Sequence, residues 1–317
     1  MANQESLETR IDKIIKVPLI SSKLPVSPLD FLVASNIGGL ASGLINPSLP
    51  VYFALGTLAV FYTWILGCGI PYKQKLFQAK KINFLETFGA DIKHLNEMPL
   101  EERAREESVL IQKVNDEYSP PSNNRREITE KVEEVVTAFL SGYTGERVET
   151  KGKVRKNNLI GKVFYPFALG ITNPMDGDIT VPGGLGVMEA GTIAHETAHR
   201  KGYMKEMEAQ VIAYLALSTS GDKELVQSAN CDRLLYQMRS MASKRRVRIK
   251  NIQNSGLRDE IKRDFLKCCR RGPYAALMRT AITPIYVLRM KLSGQKNMDD
   301  YSKGFTNFLY TIGNKVT

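Results

Sequence analysis

Five residues of the chain, His195-Glu196-Thr197-Ala198-His199, combine side chains that can bind and activate a metal ion. The protein has only three histidines in 317 residues, and a chance match to this HExxH pattern has odds of roughly one in 500. On a helix, residues four apart lie on one face, so the imidazoles of His195 and His199 can point at one ion. The spacing therefore predicts a zinc site on a helix.

The glutamate inside the pattern has a predicted role of its own. Glu196 lies about 100° around the helix from His195, where its carboxylate can reach a water molecule on an open metal position. We therefore predict that Glu196 is the general base. Small residues around the motif indicate a helix packed inside a domain, and Gly202 is placed to end that helix in the left-handed conformation.

A catalytic zinc ion needs a third protein ligand. His94 is the remaining histidine, but it lies far upstream in a polar stretch with helical character and is discounted. Glu206 and Glu208 follow the Gly202 turn, and both remain open as ligands. Glu206 shares a side of the next helix with small residues. Glu208 shares a face with larger apolar residues, and it could instead orient a ligand histidine by accepting a hydrogen bond.

The motif and its surroundings resemble a known arrangement. HETAH followed by EMEA is similar to the gluzincin pattern, in which the first Glu of an ExxA motif on a following helix completes the HExxH site. From Tyr165-Pro166 through Leu217, the chain more narrowly resembles a bacterial family of membrane-anchored, zinc-peptidase-like proteins, whose specific feature is HExxHxxGxxxExEA. The closing segment VLRMKLSGQKNMDDYSKGF is also similar to that family.

The resemblance implies that His195, His199 and Glu206 bind zinc and that Glu196 is the general base. The sequence departs from the family's pattern at two places, because Gln210 stands where Asn or Asp is usual and Gln227-Ser228 replaces a Tyr-Ser pair. The second departure leaves the donor to an oxyanion open, and the candidates are Tyr203, Tyr214 and Tyr236.

A long apolar stretch near the N-terminus indicates a membrane anchor. No charged residue occurs between Asp30 and Lys73, and the turn-like cluster at 46–50 divides this stretch in two. The second half, 51–70, has the length of one bilayer crossing. The first half is less apolar, but its Gly39–Gly43 pair suits close helix packing. We predict a transmembrane hairpin, with one span after a re-entrant or interfacial segment as the alternative.

Flanking lysines predict the orientation of this hairpin. Lysines precede and follow it, whereas the connecting turn is uncharged, so both ends are expected in the cytoplasm. The protein would then be an integral, multi-pass membrane protein with two spans, and its catalytic domain would face the cytoplasm. Four cysteines without a CxxC spacing agree with reduced thiols in that compartment.

The pattern along the chain predicts an α+β, mostly helical protein with five parts. These are a cytosolic N-terminal segment (1–28), the hairpin (29–72), a helical connector (73–125), a zincin-like core with a small sheet (126–220) and a basic helical C-terminal region (221–317). Between Arg147 and Val181 we expect two to four short strands, with 170–184 supplying an edge strand. We expect a buried or interfacial helix pair at 275–292.

These features together predict a membrane-anchored zinc metallopeptidase, with Zn²⁺ as cofactor and membrane proteins or their juxtamembrane segments as substrates. The alternative is a catalytically silent, membrane-anchored scaffold or regulatory protein with a structural or vestigial zinc site, in which a fourth protein ligand would close the site. A net charge of +11 indicates an anionic neighbour. Anionic lipid headgroups are a simpler account than nucleic acid, because no nucleic-acid-binding pattern accompanies the basic clusters. A solvated helix face explains these clusters equally well, and a basic, membrane-associated nucleic-acid binder is a third alternative for the function.

Overall fold

A computed structural model describes residues 13–17, 28–150, 152–156, 168–173, 176–242, 244–269, 272–292 and 299–313. The expected Tyr165-Pro166 step and residues 293–298 of the closing segment lie outside these ranges. Helices dominate the described chain and two small sheets accompany them, which confirms the α+β, mostly helical class.

The apolar N-terminal stretch forms two helices. Helix α1 spans Pro28–Ser42 and helix α2 spans Leu49–Trp64; α2 continues through a π-helical turn (Ile65–Gly69) into α3 (Ile70–Gln78). Among the described residues, Leu49–Gln78 is the one helix that is long and apolar enough to cross a membrane. The domain boundary expected at residue 72 lies inside α3, whose buried Tyr72 and Leu76 pack against the first strand of the chain.

Helix α1 packs directly on α2. A Cβ atom on Gly39 would lie 2.6 Å from Cβ of Phe53, and one on Gly43 would lie 2.9 Å from Cγ of Pro50. The missing side chains therefore allow the contact that the glycine spacing predicts. With 15 residues, α1 is about 22 Å long, which is shorter than a bilayer core of about 30 Å.

The N-terminal strand was not expected from the sequence. Strand β1 (Lys13–Val17) pairs in parallel with β2 (Glu146–Thr150), in a register that runs from Lys13 opposite Glu146 to Val17 opposite Thr150. Between them the chain forms α1 to α3 and then three helices, α4 (Phe84–Phe88), α5 (Leu100–Asp116) and α6 (Arg125–Thr144). Parallel pairing joins segments that are far apart in sequence, so local periodicity does not reveal it.

A second sheet supports the candidate site. It contains β3 (Val154–Lys156), β4 (Ile171–Thr172) and β5 (Ile179–Val181) in the order β3-β5-β4, with β4 antiparallel to the central β5. Together with β2, this makes four short strands in the region where two to four were predicted. A 3₁₀ turn (Gly186–Met188) then leads into α7 (Glu189–Arg200) and α8 (Glu206–Ser218).

The described residues after α8 are mostly helical, as predicted. They form α9 (Lys223–Met241), α10 (Arg245–Asn254), α11 (Asp259–Cys269), α12 (Pro273–Leu292) and α13 (Asp299–Gly313). The helix pair expected at 275–292 is wrong, because Pro284 lies inside one helix. The thiols of Cys231, Cys268 and Cys269 are buried and form no disulfide.

Candidate metal centre

Helix α7 lies in the main hydrophobic core and positions both motif histidines. Ile193, Ala194 and Ala198 are fully buried on it. The turn to α8 passes through Gly202, whose φ of +92° is the left-handed conformation predicted for it. Helix α8 then packs closely on α7 through Ala209 and Ala213, which are almost completely buried.

Three side chains converge where the two helices meet. Nε2 of His195 lies 3.2 Å from Oε2 of Glu206, and Nε2 of His199 lies 3.3 Å from the same oxygen. The ligand atoms of the three residues all lie within 4.8 Å of one another. Two ligands bound tetrahedrally at 2.0–2.1 Å from zinc are separated by about 3.3–3.4 Å. His195, His199 and Glu206 could therefore hold a metal ion.

A backbone contact fixes the orientation of one ligand ring. Nδ1 of His199 lies 2.7 Å from the backbone oxygen of Tyr203, an acceptor, so Nδ1 carries a hydrogen and Nε2 is the ring nitrogen that could bind a metal ion. A hydrogen bond from the second ring nitrogen to a carbonyl is the usual support for a metal-binding histidine.

The three groups influence one another's charge. Burial by itself would raise the pKa of Glu206, but His199 and His195 hold it well below its usual range. Burial by itself would lower the pKa of His195, but the carboxylate of Glu206 raises it overall. The site therefore contains an anionic oxygen between two imidazoles, a charge distribution that favours a cation.

Glu208, the alternative third ligand, points elsewhere. Its Oε1 accepts a hydrogen bond of 2.8 Å from Nζ of Lys205. The structure thus brings Glu206, and not Glu208, to the two histidines. His94 is exposed in the loop between α4 and α5, where it contacts Asp91, so it lies outside the site and also outside the helix expected there.

The small sheet holds the carboxylate of Glu196, whose charge also acts on His195. The hydroxyl oxygen of Thr172, on β4, lies 2.6 Å from Oε2 of Glu196. Gly170 approaches the same side chain so closely that a Cβ atom there would lie 2.6 Å from Oε1 of Glu196. The sequence predicted an edge strand within 170–184 but not the contacts of Thr172 and Gly170 with Glu196. No local sequence pattern connects these two residues to a helix that begins at residue 189.

The residues at the two departures from the resembled pattern have structural partners, and the side-chain oxygen of Gln227 accepts a hydrogen bond from the backbone nitrogen of Ser119. Gln210, on α8, donates to Asp232 of α9, and Asp232 also interacts electrostatically with His195. The hydroxyl of Ser228 donates to the backbone oxygen of Val187 at 2.7 Å and accepts from the backbone nitrogen of Gly191 at 2.9 Å. Ser228 therefore anchors the first turn of α7, and Asp232 is a neighbour of His195 that the sequence analysis missed.

The candidate oxyanion donors have other contacts. The hydroxyl of Tyr203 accepts a hydrogen bond from the backbone nitrogen of Ile82 at 3.0 Å. The hydroxyl of Tyr214 accepts one from Arg233 at 2.8 Å. Tyr236 is buried, and its ring packs on Phe305. None of these contacts places a tyrosine hydroxyl at the metal group.

Comparison with known proteins gives one match. We found no significant match among curated proteins or among solved structures. A family model described as "protein of unknown function (DUF3810)" matches residues 18–309, a range that contains both the apolar helices and the candidate metal centre. The chain therefore belongs to this DUF3810 family.

Proposed function

We propose that the protein is a membrane-anchored zinc metallopeptidase. The observation that carries this proposal is the convergence of His195, His199 and Glu206, with Glu196 on the same helix as the histidines and near enough for its charge to act on His195. Two imidazole nitrogens and one carboxylate oxygen are the ligand set of zinc hydrolases that keep an open position for water. Among the described residues, no fourth His, Cys, Asp or Glu joins the group, which argues against a closed structural site.

The residues of the chain have distinct tasks in this proposal. His195, His199 and Glu206 would hold the zinc ion, and the chemistry it would supply is Lewis acidity toward a water molecule and the scissile carbonyl. Glu196 accepts the proton of the attacking water and passes it to the leaving amine. Thr172 and Gly170 fix the carboxylate of Glu196. The hydroxyl of Thr172 contacts the carboxylate, and the backbone at Gly170 lies so close that it leaves no room for a different position.

The small sheet suggests how a substrate binds. Strand β4 lies at the edge of the described sheet, and its Thr172 contacts the general base. An extended peptide that pairs with this edge by backbone hydrogen bonds would run past Glu196. We therefore infer a polypeptide substrate, and the membrane anchor points to membrane proteins or their juxtamembrane segments.

A comparison of wild type with Glu196→Gln tests the catalytic role. We expect both proteins to purify with about one zinc per chain and only the wild type to cleave a proteome-derived peptide library, as followed by mass spectrometry. Equal cleavage by the two proteins would remove Glu196 as the base. A zinc-loaded wild type that cleaves none of the library would instead support the scaffold alternative.

The pairing of β1 with β2 supports two membrane crossings. The two strands lie side by side, although one precedes and the other follows all of the apolar helices. The chain must therefore cross a membrane an even number of times between them. If Leu49–Gln78 is one crossing, the return must lie before it, and the ten residues between β1 and α1 are too few for a helical span. We therefore propose α1, which packs on α2, as part of the second crossing.

The exposed surface of these helices agrees with a lipid environment. Large apolar side chains project outward from α1, α2 and the turn between them, and Leu44 is 93% exposed. Apolar surfaces of this extent on one part of a molecule indicate contact with a membrane or a partner. Lysines flank both ends of the proposed hairpin, and the positive-inside rule therefore favours a cytoplasmic metal centre.

Cysteine labelling tests this arrangement. Ser48→Cys lies in the turn between the helices, and Asn123→Cys lies in the exposed loop before α6. A membrane-impermeant maleimide should label the first variant in intact cells and the second only after permeabilisation. Labelling of both variants only after permeabilisation would contradict the two-span hairpin.

A further inference from the structure

The C-terminal part of the apolar helix and the segment that follows it contact the end of the metal-binding helix. We propose that Tyr72, Lys81 and the backbone of Ile82 form a brace that positions His199 for metal binding. The inference rests on the proposed metal site and adds a function for the membrane anchor: the chain that emerges from the bilayer is part of the scaffold of that site.

The brace first satisfies carbonyl groups at the C-terminal end of α7. The last carbonyls of a helix lack partners within the helix and need other donors. The hydroxyl of Tyr72 donates to the backbone oxygen of Arg200 at 2.5 Å, and Nζ of Lys81 donates to the backbone oxygen of Lys201 at 2.7 Å. Both accepting residues follow His199 directly, so the donors fix the backbone next to a metal ligand.

Tyr203 connects the brace to the imidazole itself. Its hydroxyl accepts from the backbone nitrogen of Ile82 at 3.0 Å, and its backbone oxygen accepts from Nδ1 of His199 at 2.7 Å. Two hydrogen bonds and one rigid aromatic residue therefore link the segment after α3 to a ligand ring. The ammonium group of Lys81 also lies over the ring of Tyr203, 5.0 Å from its centroid.

The surroundings of the brace are closely packed. Tyr72 is 1% exposed and Tyr203 is 4% exposed. A Cβ atom on Gly202, between the two helices of the site, would lie 2.6 Å from Nζ of Lys81. A shift of α3 relative to α7 would therefore break several contacts at once, and it would release the carbonyl that orients His199.

Two single-atom changes test the brace in the full-length protein. Tyr72→Phe and Tyr203→Phe each remove one hydroxyl and leave the ring in place. Tyr62→Phe is the matched control, because Tyr62 lies on the same apolar helix as Tyr72 with its side chain exposed. Zinc affinity is measured by competition with a chelator, and the visible spectrum of the cobalt-substituted protein reports the ligand geometry.

We expect zinc affinity to fall roughly 2- to 30-fold in each brace variant, the range found for changes along a coupled network. The cobalt spectrum should change with it, and Tyr62→Phe should match the wild type. Wild-type affinity in both brace variants overturns the inference. The inference is also overturned if the brace variants lower only the unfolding temperature of the metal-free protein and leave zinc affinity and the cobalt spectrum unchanged. That result would show that the two hydroxyls stabilise the fold without positioning His199. A wild type that binds no zinc refutes the proposed function itself, and the inference falls with it.

Discussion

The hydroxyl oxygen of Thr172 lies 2.6 Å from Oε2 of Glu196 and 2.8 Å from the backbone oxygen of the same residue. One side chain of the small sheet thus holds both the carboxylate and the backbone of the proposed general base. Because Thr172 also belongs to the edge strand, the proposed base and the proposed substrate-binding strand are fixed relative to each other.

Removal of this hydroxyl should slow catalysis without loss of the metal. Thr172→Val keeps the shape of the side chain but frees the carboxylate of Glu196, and misplaced catalytic groups lower rates by about 100-fold. We expect kcat to fall by about 10- to 100-fold at unchanged zinc content. Thr172→Ser retains a hydroxyl and should recover most of the rate. A valine variant with the kcat of the wild type would show that Thr172 has no positioning role.

The two glutamates of α8 should differ sharply in metal binding. Glu206→Gln removes the carboxylate between the imidazoles and should abolish stoichiometric zinc, whereas Glu208→Gln loses only an ion pair with Lys205 and should retain it. Metal analysis of the two purified variants beside the wild type measures this difference. The opposite pattern, with zinc lost only from the Glu208 variant, would mean that α8 binds the ion through its other acidic residue.

Gly39 and its neighbour Gly38 offer a matched test of hairpin packing. A Cβ atom on Gly39 would collide with Phe53, but one on Gly38 would meet nothing within 4 Å. Overpacking of this kind costs about 1–3 kcal/mol, so Gly39→Leu should separate α1 from α2 and Gly38→Leu should not.

A disulfide between Ser35→Cys and Thr57→Cys can report this separation, because the native side-chain oxygens lie 3.5 Å apart. Its formation should fall in the Gly39 variant and persist in the Gly38 variant. Equal cross-linking in both would indicate that close packing at Gly39 does not hold the hairpin together.

Lys201 should make the stability of the domain depend on pH. Burial lowers its pKa from 10.5 to about 7, and the guanidinium of Arg200 contributes in the same direction. Between these two values the unfolded chain binds a proton that the folded protein does not. The free energy of unfolding should therefore rise with pH over this range, by at most about 1.4 kcal/mol per pH unit from this residue.

Denaturant unfolding measures how much Lys201 contributes to this pH dependence. Wild type and Lys201→Met are compared at several pH values between about 7 and 9.5. The Met variant should show a smaller slope, and Lys250→Met, a change at an exposed position, should keep the slope of the wild type. Parallel curves for wild type and Lys201→Met would mean that the lysine is charged in the folded protein at neutral pH.

Local sequence patterns predicted the parts of the site that lie on α7 and α8. The spacing of His195 and His199 is a property of one helix, and Glu206 follows on the next helix after a short glycine turn. The same reasoning could not exclude Glu208, because its direction depends on the contact with Lys205.

Contacts between residues that are far apart in the sequence could not be predicted from such patterns. Thr172 and Gly170 reach Glu196 from a two-residue strand, and Tyr72 reaches Arg200 across 128 positions of the chain. Neither contact has a periodic signature, since each depends on how separate elements pack. The two apolar helices were visible as an uncharged stretch, but the continuation of the second helix to Gln78 depends on the burial of Tyr72 and Leu76 against the domain.

The strand pair β1–β2 has a consequence for the order in which the protein is made. Lys13 leaves the ribosome long before its partner Glu146 is synthesised, and both apolar helices emerge in the interval. Pairing of the strands must wait until α6 has been translated, and if the apolar helices form the proposed anchor, they would have time to enter the bilayer first. Biogenesis would thus run from membrane insertion to closure of the sheet, and a nascent chain arrested before residue 146 would expose an unpaired β1.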